Sequence, residues 1–333
     1  MASVLPPEAA EDVHRSVSTL ETLRKKSKFD ELLEERWKRA PLWYTLGALP
    51  NKRLEGNYGF VVELNEQRAT KRRKAEDIQS IRQPFDPSRF NFNKVNDREI
   101  LFRDNENALI ANVAPLGPCQ TLVVPSVSAC LPQILTAAGL NLTLDLMFRS
   151  GSPDLRGGFN SLGAYASVNH QHLHLYYVRH RMLLETIFAE PIGPKLFSLS
   201  DYPARGLLLA VTFDDRSSVE LLLHVTDLLL DSDIVFNIFL TRGSAPGVRY
   251  FCAPTTYEVI RIYLWARKPR MGVKDSTKLN LALSELGGHI PVKSQEAYDS
   301  ISEKHIVEEQ KLLCDEPFEQ MRKLLQDNKL LFP

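Results

Sequence analysis

The sequence predicts an α+β fold of two units, each an antiparallel sheet with packed helices. Three observations carry that reading. From Ala108 to Val178 the pattern runs strand, strand, helix, strand, strand. From Gly206 to Leu286 a second set runs strand, helix, strand, strand, helix. With 333 residues and 44% apolar content, the chain can bury one large core or two smaller ones. The pattern divides it into a helical N-terminal segment (1–50), a first half (51–190), a second half (191–294) and a helical tail (295–333).

The elements follow in order. Residues 1–12 are rich in Pro and Ala and predict a frayed end. Between Val13 and Ala40, Leu20, Leu23, Phe29, Leu32, Leu33 and Trp37 recur at helical spacing among charges, predicting one or two amphipathic helices docked on the core. Pro41 and Pro50 bracket a connector. Tyr58–Asn65 reads as a strand, and the basic run Arg68, Lys71, Arg72, Arg73, Lys74 follows it. A solvated loop is the plain reading of that run. The sharper one makes Arg72 and Arg73 phosphate contacts, because guanidinium forks match phosphate oxygens bidentately. No aromatic is interleaved with these charges, which argues against a nucleic-acid surface.

Pro84–Phe92 (PFDPSRFNF) carries three Phe and predicts an ordered loop that packs its own aromatics or covers a site. Ala108–Val113 and Thr121–Val124 read as strands joined by Pro115-Leu116-Gly117-Pro118. Leu131–Phe148 suits a buried helix, and Gly151–Gly158 reads as a loop leading into a strand with Asn160. After the break Pro191-Ile192-Gly193-Pro194 come a strand (Gly206–Phe213), a helix (Ser217–Leu230) and strands at Ile234–Thr241 and Glu258–Arg267. A helix over Ser276–Leu286 follows, with Gly287 as the residue just past its C-terminus and His289 next.

Composition excludes several classes. Lys+Arg and Asp+Glu both number 41, so no global field draws in nucleic acid or an anionic membrane. Cys119, Cys130, Cys252 and Cys314 are scattered without a C-x-x-C pair. That suits buried small residues in a reducing compartment and argues against a disulfide framework or zinc ribbon. The start carries Glu8, Glu11 and Asp12 and shows no apolar signal-peptide core, and no uncharged run approaches a membrane span. The expectation is a cytoplasmic protein. A homo-oligomer is compatible with this composition.

The chemistry gathers in Ser167-Val168-Asn169-His170-Gln171-His172-Leu173-His174-Leu175-Tyr176-Tyr177-Val178. Its β-branched and aromatic content, without Pro or Gly, reads as a strand. On a strand, His170, His172 and His174 form a row on one face, with Gln171, Leu173 and Leu175 on the other. A metal site would need further converging ligands, and no matching Cys/His cluster accompanies the row. A purely structural role would place three rings with polar atoms in a core, each needing partners. Nucleophilic catalysis is the favoured reading: one neutral imidazole attacks, a neighbour sets its tautomer, and another stabilises developing charge.

These residues resemble a known signature. His-x-His-x-His before an apolar run is similar to the histidine-triad superfamily of nucleotidyl hydrolases and transferases, and Asn160 and Ser167 resemble its phosphate-pocket Asn and Ser. More narrowly, Gly158-Phe159-Asn160-Ser161-Leu162-Gly163-Ala164-Tyr165-Ala166-Ser167-Val168-Asn169-His170 resembles the animal GDP-D-glucose phosphorylases, relatives of the plant GDP-L-galactose phosphorylases. The wider likeness runs from about Tyr58 to His289. It departs at Ala166, where the superfamily often has Gln, and at His174, where the plant branch and the hexose-1-phosphate uridylyltransferases have Gln.

The resemblance implies two histidine-triad-like units, the second lacking the triad. It implies GDP-D-glucose and inorganic phosphate as substrates, with no metal and no cofactor. His172 would be the nucleophile, His174 a donor to the phosphoryl or leaving oxygen, and His170 an orienting group. Asn160, Ser167 and the backbone amides of Gly157 and Gly158 would bind phosphate. Asn237, Arg242, Arg267 and Lys268 would face the pocket from the second half, or else be ordinary surface groups. A hydrolase of the same fold, with water resolving the adduct, is the enzymatic alternative. A nucleotide sensor that has lost turnover is the alternative of another class.

Overall fold

The computed structural model describes residues 4–10, 18–19, 25–249, 256–272 and 279–333. Helix α1 (Lys28–Lys38) opens on a capping box in which the Ser27 side chain accepts from Asp30 N–H and Asp30 accepts from Ser27 N–H. Asp30 also accepts from Tyr177 Oη and Ser150 Oγ, both at 2.6 Å, which ties the helix to the triad strand. Strands β1 (Asn51–Arg53) and β2 (Val61–Leu64) follow.

The first half continues with β3 (Ile100–Arg103), β4 (Ala108–Ala111), β5 (Thr121–Val124), α2 (Ala137–Arg149), β6 (Leu155–Asn160) and β7 (Leu173–Tyr177). The second contributes β8 (Glu190–Gly193), β9 (Leu196–Leu199), β10 (Gly206–Val211), α3 (Ser217–Asp231), β11 (Val235–Gly243) and β12 (Val259–Arg267). These strands form one ten-stranded sheet in the order β3-β4-β5-β7-β6-β11-β12-β10-β9-β8. Counted outward from the β6–β11 seam, both halves read fourth, fifth, third, second, first strand. In both, the helix connects the third strand to the fourth. The halves are therefore topological copies fused edge to edge, although the sequence shows no repeat.

Alternation along the strands sorts side chains into two cores. Ile262, Leu264 and Ala266 of β12 join Leu173 and Leu175 of β7 against α2 and α3. Tyr263, Trp265 and Tyr176 fall on the opposite face. That face is covered by a small sheet in which β13 (His289–Val292) pairs parallel with β2, and β2 pairs antiparallel with β1. The short helix α4 (Leu283–Leu286) lies just before β13. After α5 (Gln295–Ser300), α6 (Glu303–Asp327) reaches both cores, through Ile306, Leu313 and Cys314 at one end and Phe318, Met321 and Leu325 at the other.

Several expectations shift. The helix expected from Leu131 begins at Ala137, where the Thr136 side chain accepts from Gly139 N–H. The expected Gly151–Gly158 loop is already strand at Leu155, because Arg156, Gly157 and Gly158 pair on both sides. The break at Pro191–Pro194 contains β8 instead; as the outermost strand it tolerates Pro191, whose missing N–H is not required there. Ser18–Thr19 are extended and pair with Thr256–Tyr257, so no single helix spans Val13–Ala40; Val13, Leu20 and Leu23 lie outside the described residues. The Ser276 end of the last predicted helix and Cys252 also lie outside them. Gly287 keeps a helical φ of −70°, and Gly288, at +98°, takes the left-handed turn. Cys119 and Cys314 are buried with thiols pushed up to about 12, which leaves them inert small residues. No helix among the described residues is long and apolar enough to cross a membrane.

Candidate active site

Only the last triad member lies on β7. Upstream, ladder bonds give way to others: Gln171 N–H donates to the Leu131 carbonyl and His172 N–H to Gln133 Oε1, both at 2.8 Å. The alternation nevertheless persists. The His172 and His174 rings lie 5.1 Å apart at 72°, while Gln171 turns away and donates to the Ile134 carbonyl and Thr136.

His172 is buried, and its Nδ1 stands 2.8 Å from the His170 carbonyl. A carbonyl can only accept, so Nδ1 carries the proton and Nε2 keeps its lone pair. Burial pulls the His172 pKa down to about 4 and keeps the ring neutral near pH 7. His170 is the opposite tautomer, since Phe92 N–H donates to its Nδ1 at 3.1 Å; burial also pulls it to about 4. Phe85 and Phe92 pack 5.3 Å from the His170 ring, and Phe92 lies 5.1 Å from His172. The aromatic loop thus packs over His170 and His172, and it packs on itself as well through Phe90 and Phe92.

Gln133 was not singled out by sequence reasoning. Its buried side chain accepts from His172 N–H and donates to the carbonyls of His172 and Asn160, each at 3.0 Å. It therefore locks the His172 backbone to the end of β6. A Gln in an apolar segment carries no signal for this, because its partners lie 27 and 39 residues away.

Asn160, Tyr165, Ser167 and His174 line a cavity of about 100 Å³ on the face beneath the small sheet. Arg68, Arg72 and residues from 280–285 and 291–293 line it as well. Asn160 Oδ1 accepts from Asn237 Nδ2 at 2.6 Å and from Leu283 N–H at 3.1 Å, so its NH₂ end remains for a ligand. Asn237 accepts in turn from Arg267 Nη1, and the Arg267 guanidinium lies over the Tyr165 ring at 4.8 Å. The second half thus orients the Asn160 amide.

Not every expected residue joins them. Gly158 pairs with His174 on one side and Phe239 on the other, so its amide belongs to the sheet rather than to a ligand. A Cβ there would sit 2.2 Å from the Ile238 carbonyl oxygen, and close packing is what requires glycine. Arg73 turns away to an ion pair with Glu99 at 2.6 Å, its guanidinium over Phe90. Arg242 donates to the carbonyls of Met147 and Ser150, and Lys268 pairs with Glu316. Ala166, where the superfamily often has Gln, packs with Ile78 and Leu162. His289 meets Ser284 and Glu63 beside a separate cavity.

Family comparison decides the assignment. Residues 28–176 match the model described as "GDPGP1-like, N-terminal domain", and residues 178–329 match its C-terminal counterpart. The chain is 37% identical to GDP-D-glucose phosphorylase 1 of Danio rerio, covering 85% of each. It is 39% identical to that of Homo sapiens, covering 83% of this chain and 77% of the relative. The chain belongs to the GDP-D-glucose phosphorylase family. GDP-L-galactose phosphorylase 2 of Arabidopsis thaliana is a more distant relative, 32% identical over 81% of this chain and 68% of its own length. The fold is similar to yeast Ap4A phosphorylase Apa2 in complex with Ap4A, with a TM-score of 0.60 at 15% identity, covering 86% of this chain and 97% of that one.

For this family member the buried His172 sets a pH expectation. An Nε2 that attacks must be unprotonated, so with His172 as nucleophile activity would be lost as pH falls through the folded pKa. With that value at about 4, kcat/KM for the first displacement stays level from pH 8 to about 5 and then falls. An acid limb near 6.5, the ordinary histidine value, would contradict the assignment. Stability moves in the same sense. Between the unfolded value near 6.5 and the folded value of about 4, the unfolded chain binds the extra proton, so acidification through that window costs about 3 kcal/mol from His172.

Proposed function

We propose that the protein catalyses phosphorolysis of GDP-D-glucose to GDP and glucose 1-phosphate through a guanylylated His172. The single observation that carries this reading is the His172 ring, neutral and buried, with Nδ1–H on the His170 carbonyl and Nε2 left as nucleophile. Nε2 attacks the α-phosphorus, a P–N bond forms, and the bond to the bridging oxygen breaks, releasing glucose 1-phosphate. An oxygen of inorganic phosphate then attacks the same phosphorus, the P–N bond breaks, and GDP leaves. Two displacements at one nucleophile predict ping-pong kinetics.

His174 stands beside His172 and lines the cavity, as a donor to the phosphoryl or leaving oxygen should. Asn160, Ser167 and Arg72 line the same cavity and are assigned to phosphate; Arg73, paired with Glu99, is not. In this reading residues 51–190 form the catalytic half, and 191–294 the half that lost its triad and supports Asn160 through Asn237. The described cysteines are free, which supports a cytoplasmic setting.

The test is to incubate the protein with GDP-glucose, with and without inorganic phosphate, and separate the products. GDP and glucose 1-phosphate, formed only when phosphate is present, are expected. GMP formed irrespective of phosphate would make the protein a hydrolase. Binding without turnover would make it a sensor.

A further inference from the structure

Arg68 stands on a single helical turn, Gln67–Thr70, that follows β2. Its N–H donates to the Asn65 side chain at 3.3 Å, and Asn65 Nδ2 donates to Tyr44 Oη and the Pro115 carbonyl, so the turn is held from beneath. The Arg68 side chain lines the cavity shared by Asn160, Ser167 and His174. Its Nη1 is closed off from solvent and, among the described residues, has no hydrogen-bond partner. Arg72 lines the same cavity.

Other enclosed arginines have partners for their guanidinium groups. Arg73, Arg156 and Arg181 meet carboxylates, and Arg242 and Arg261 donate to backbone carbonyls, whereas among the described residues neither Arg68 nor Arg72 forms an ion pair. Burial pulls the pKa of both downward. Glu285 lines the same cavity and attracts Arg68 without forming an ion pair with it, so the enclosed Nη1 stays unsatisfied and an entering anion supplies its partner. A water molecule carries no charge and does not.

We propose that Arg68, with Arg72, forms the acceptor subsite that selects inorganic phosphate over water for the second displacement. This rests on the guanylyl-histidine reading above. During the first displacement the subsite holds the β-phosphate of the sugar nucleotide. Once glucose 1-phosphate has left, inorganic phosphate replaces it, with an oxygen directed at the adduct. Attack by that oxygen forms the P–O bond as the P–N bond to His172 breaks, and the product is GDP. Water attacking the same phosphorus would lose a proton and yield GMP. Arg68 thus sets the GDP:GMP ratio.

The experiment varies inorganic phosphate at saturating GDP-glucose in the wild-type chain, Arg68→Gln and Arg68→Lys, and quantifies GDP and GMP. Arg68→Gln should raise KM for phosphate by at least roughly tenfold and increase the GMP share. Arg68→Lys, which keeps the charge without the fork, should fall between the two. Unchanged melting temperature and GMP affinity would show that the variant folds and keeps the nucleotide end of the site. Should Arg68→Gln unfold, Arg68→Lys decides by the same two readouts. A folded variant with unchanged KM for phosphate and unchanged GDP:GMP ratio would overturn the proposal. If the wild-type chain makes no GDP, the reaction assignment fails instead.

Discussion

His172→Ala is expected to lower turnover on the order of 10⁴- to 10⁶-fold, the scale seen when a covalent nucleophile is removed. The loss is that large because nothing else can take its place. His170 is the opposite tautomer, with Nδ1 engaged by Phe92 N–H, and it is held between Phe85 and Phe92. His174 stands beside His172 and lines the cavity, and in this reading it donates to the phosphoryl or leaving oxygen. Rapid-quench detection of the protein-bound guanylyl group checks this directly, since it separates adduct formation from product release. The adduct should vanish in His172→Ala and persist at a reduced level in His174→Gln, whose amide still donates to phosphoryl oxygen. Full activity in His172→Ala would end the assignment.

Glu185→Ala should destabilise the protein by about 3–5 kcal/mol, the cost of stranding a buried charge. Glu185 lies in the connection between the halves and is 1% exposed. Its Oε1 accepts from Arg156, which is fully buried, and from Met182 N–H. Its Oε2 accepts from Arg181 and from Tyr257 Oη. Arg156 stands on β6 opposite Thr241 of β11 and donates to its hydroxyl, so the carboxylate pins the connection to the seam. Removing it leaves the Arg156 guanidinium with neutral partners only. The urea midpoint measures the loss, and Glu185→Gln, which keeps the packing and part of the hydrogen bonding, should lose less. The native fraction of either variant should retain KM for GDP-glucose, because Glu185 does not line the cavity. An unchanged midpoint would mean that the Arg156 charge is compensated in another way.

The contrast between Arg72 and Arg73 shows how far local reading reaches. Adjacent in sequence and equal in chemistry, they part because Glu99, 26 residues on, captures one and the cavity receives the other. Charge patterning marked the run and could not divide it. Gly158 shows the same limit. Its place before Asn160 suggested an amide for phosphate, yet it lies inside the sheet, opposite His174 of β7 and opposite Phe239 of β11 some 80 residues away. Gln133 gave no sign at all, since its role exists only where two distant carbonyls converge.

What the sequence determined by itself is local in origin. The alternating histidines, the apolar periods of α2 and α3 and the alternation of β12 are set by neighbours a few residues apart, so the α+β class and the histidine row proposed to hold the nucleophile were legible in the chain. The tertiary structure alone decided the pairing of β6 with β11, the parallel pairing of β2 with β13 across more than 220 residues, and the His172 tautomer. Each of these depends on hydrogen-bond partners and burial supplied by remote segments, and no local pattern encodes which remote backbone group will be at hand.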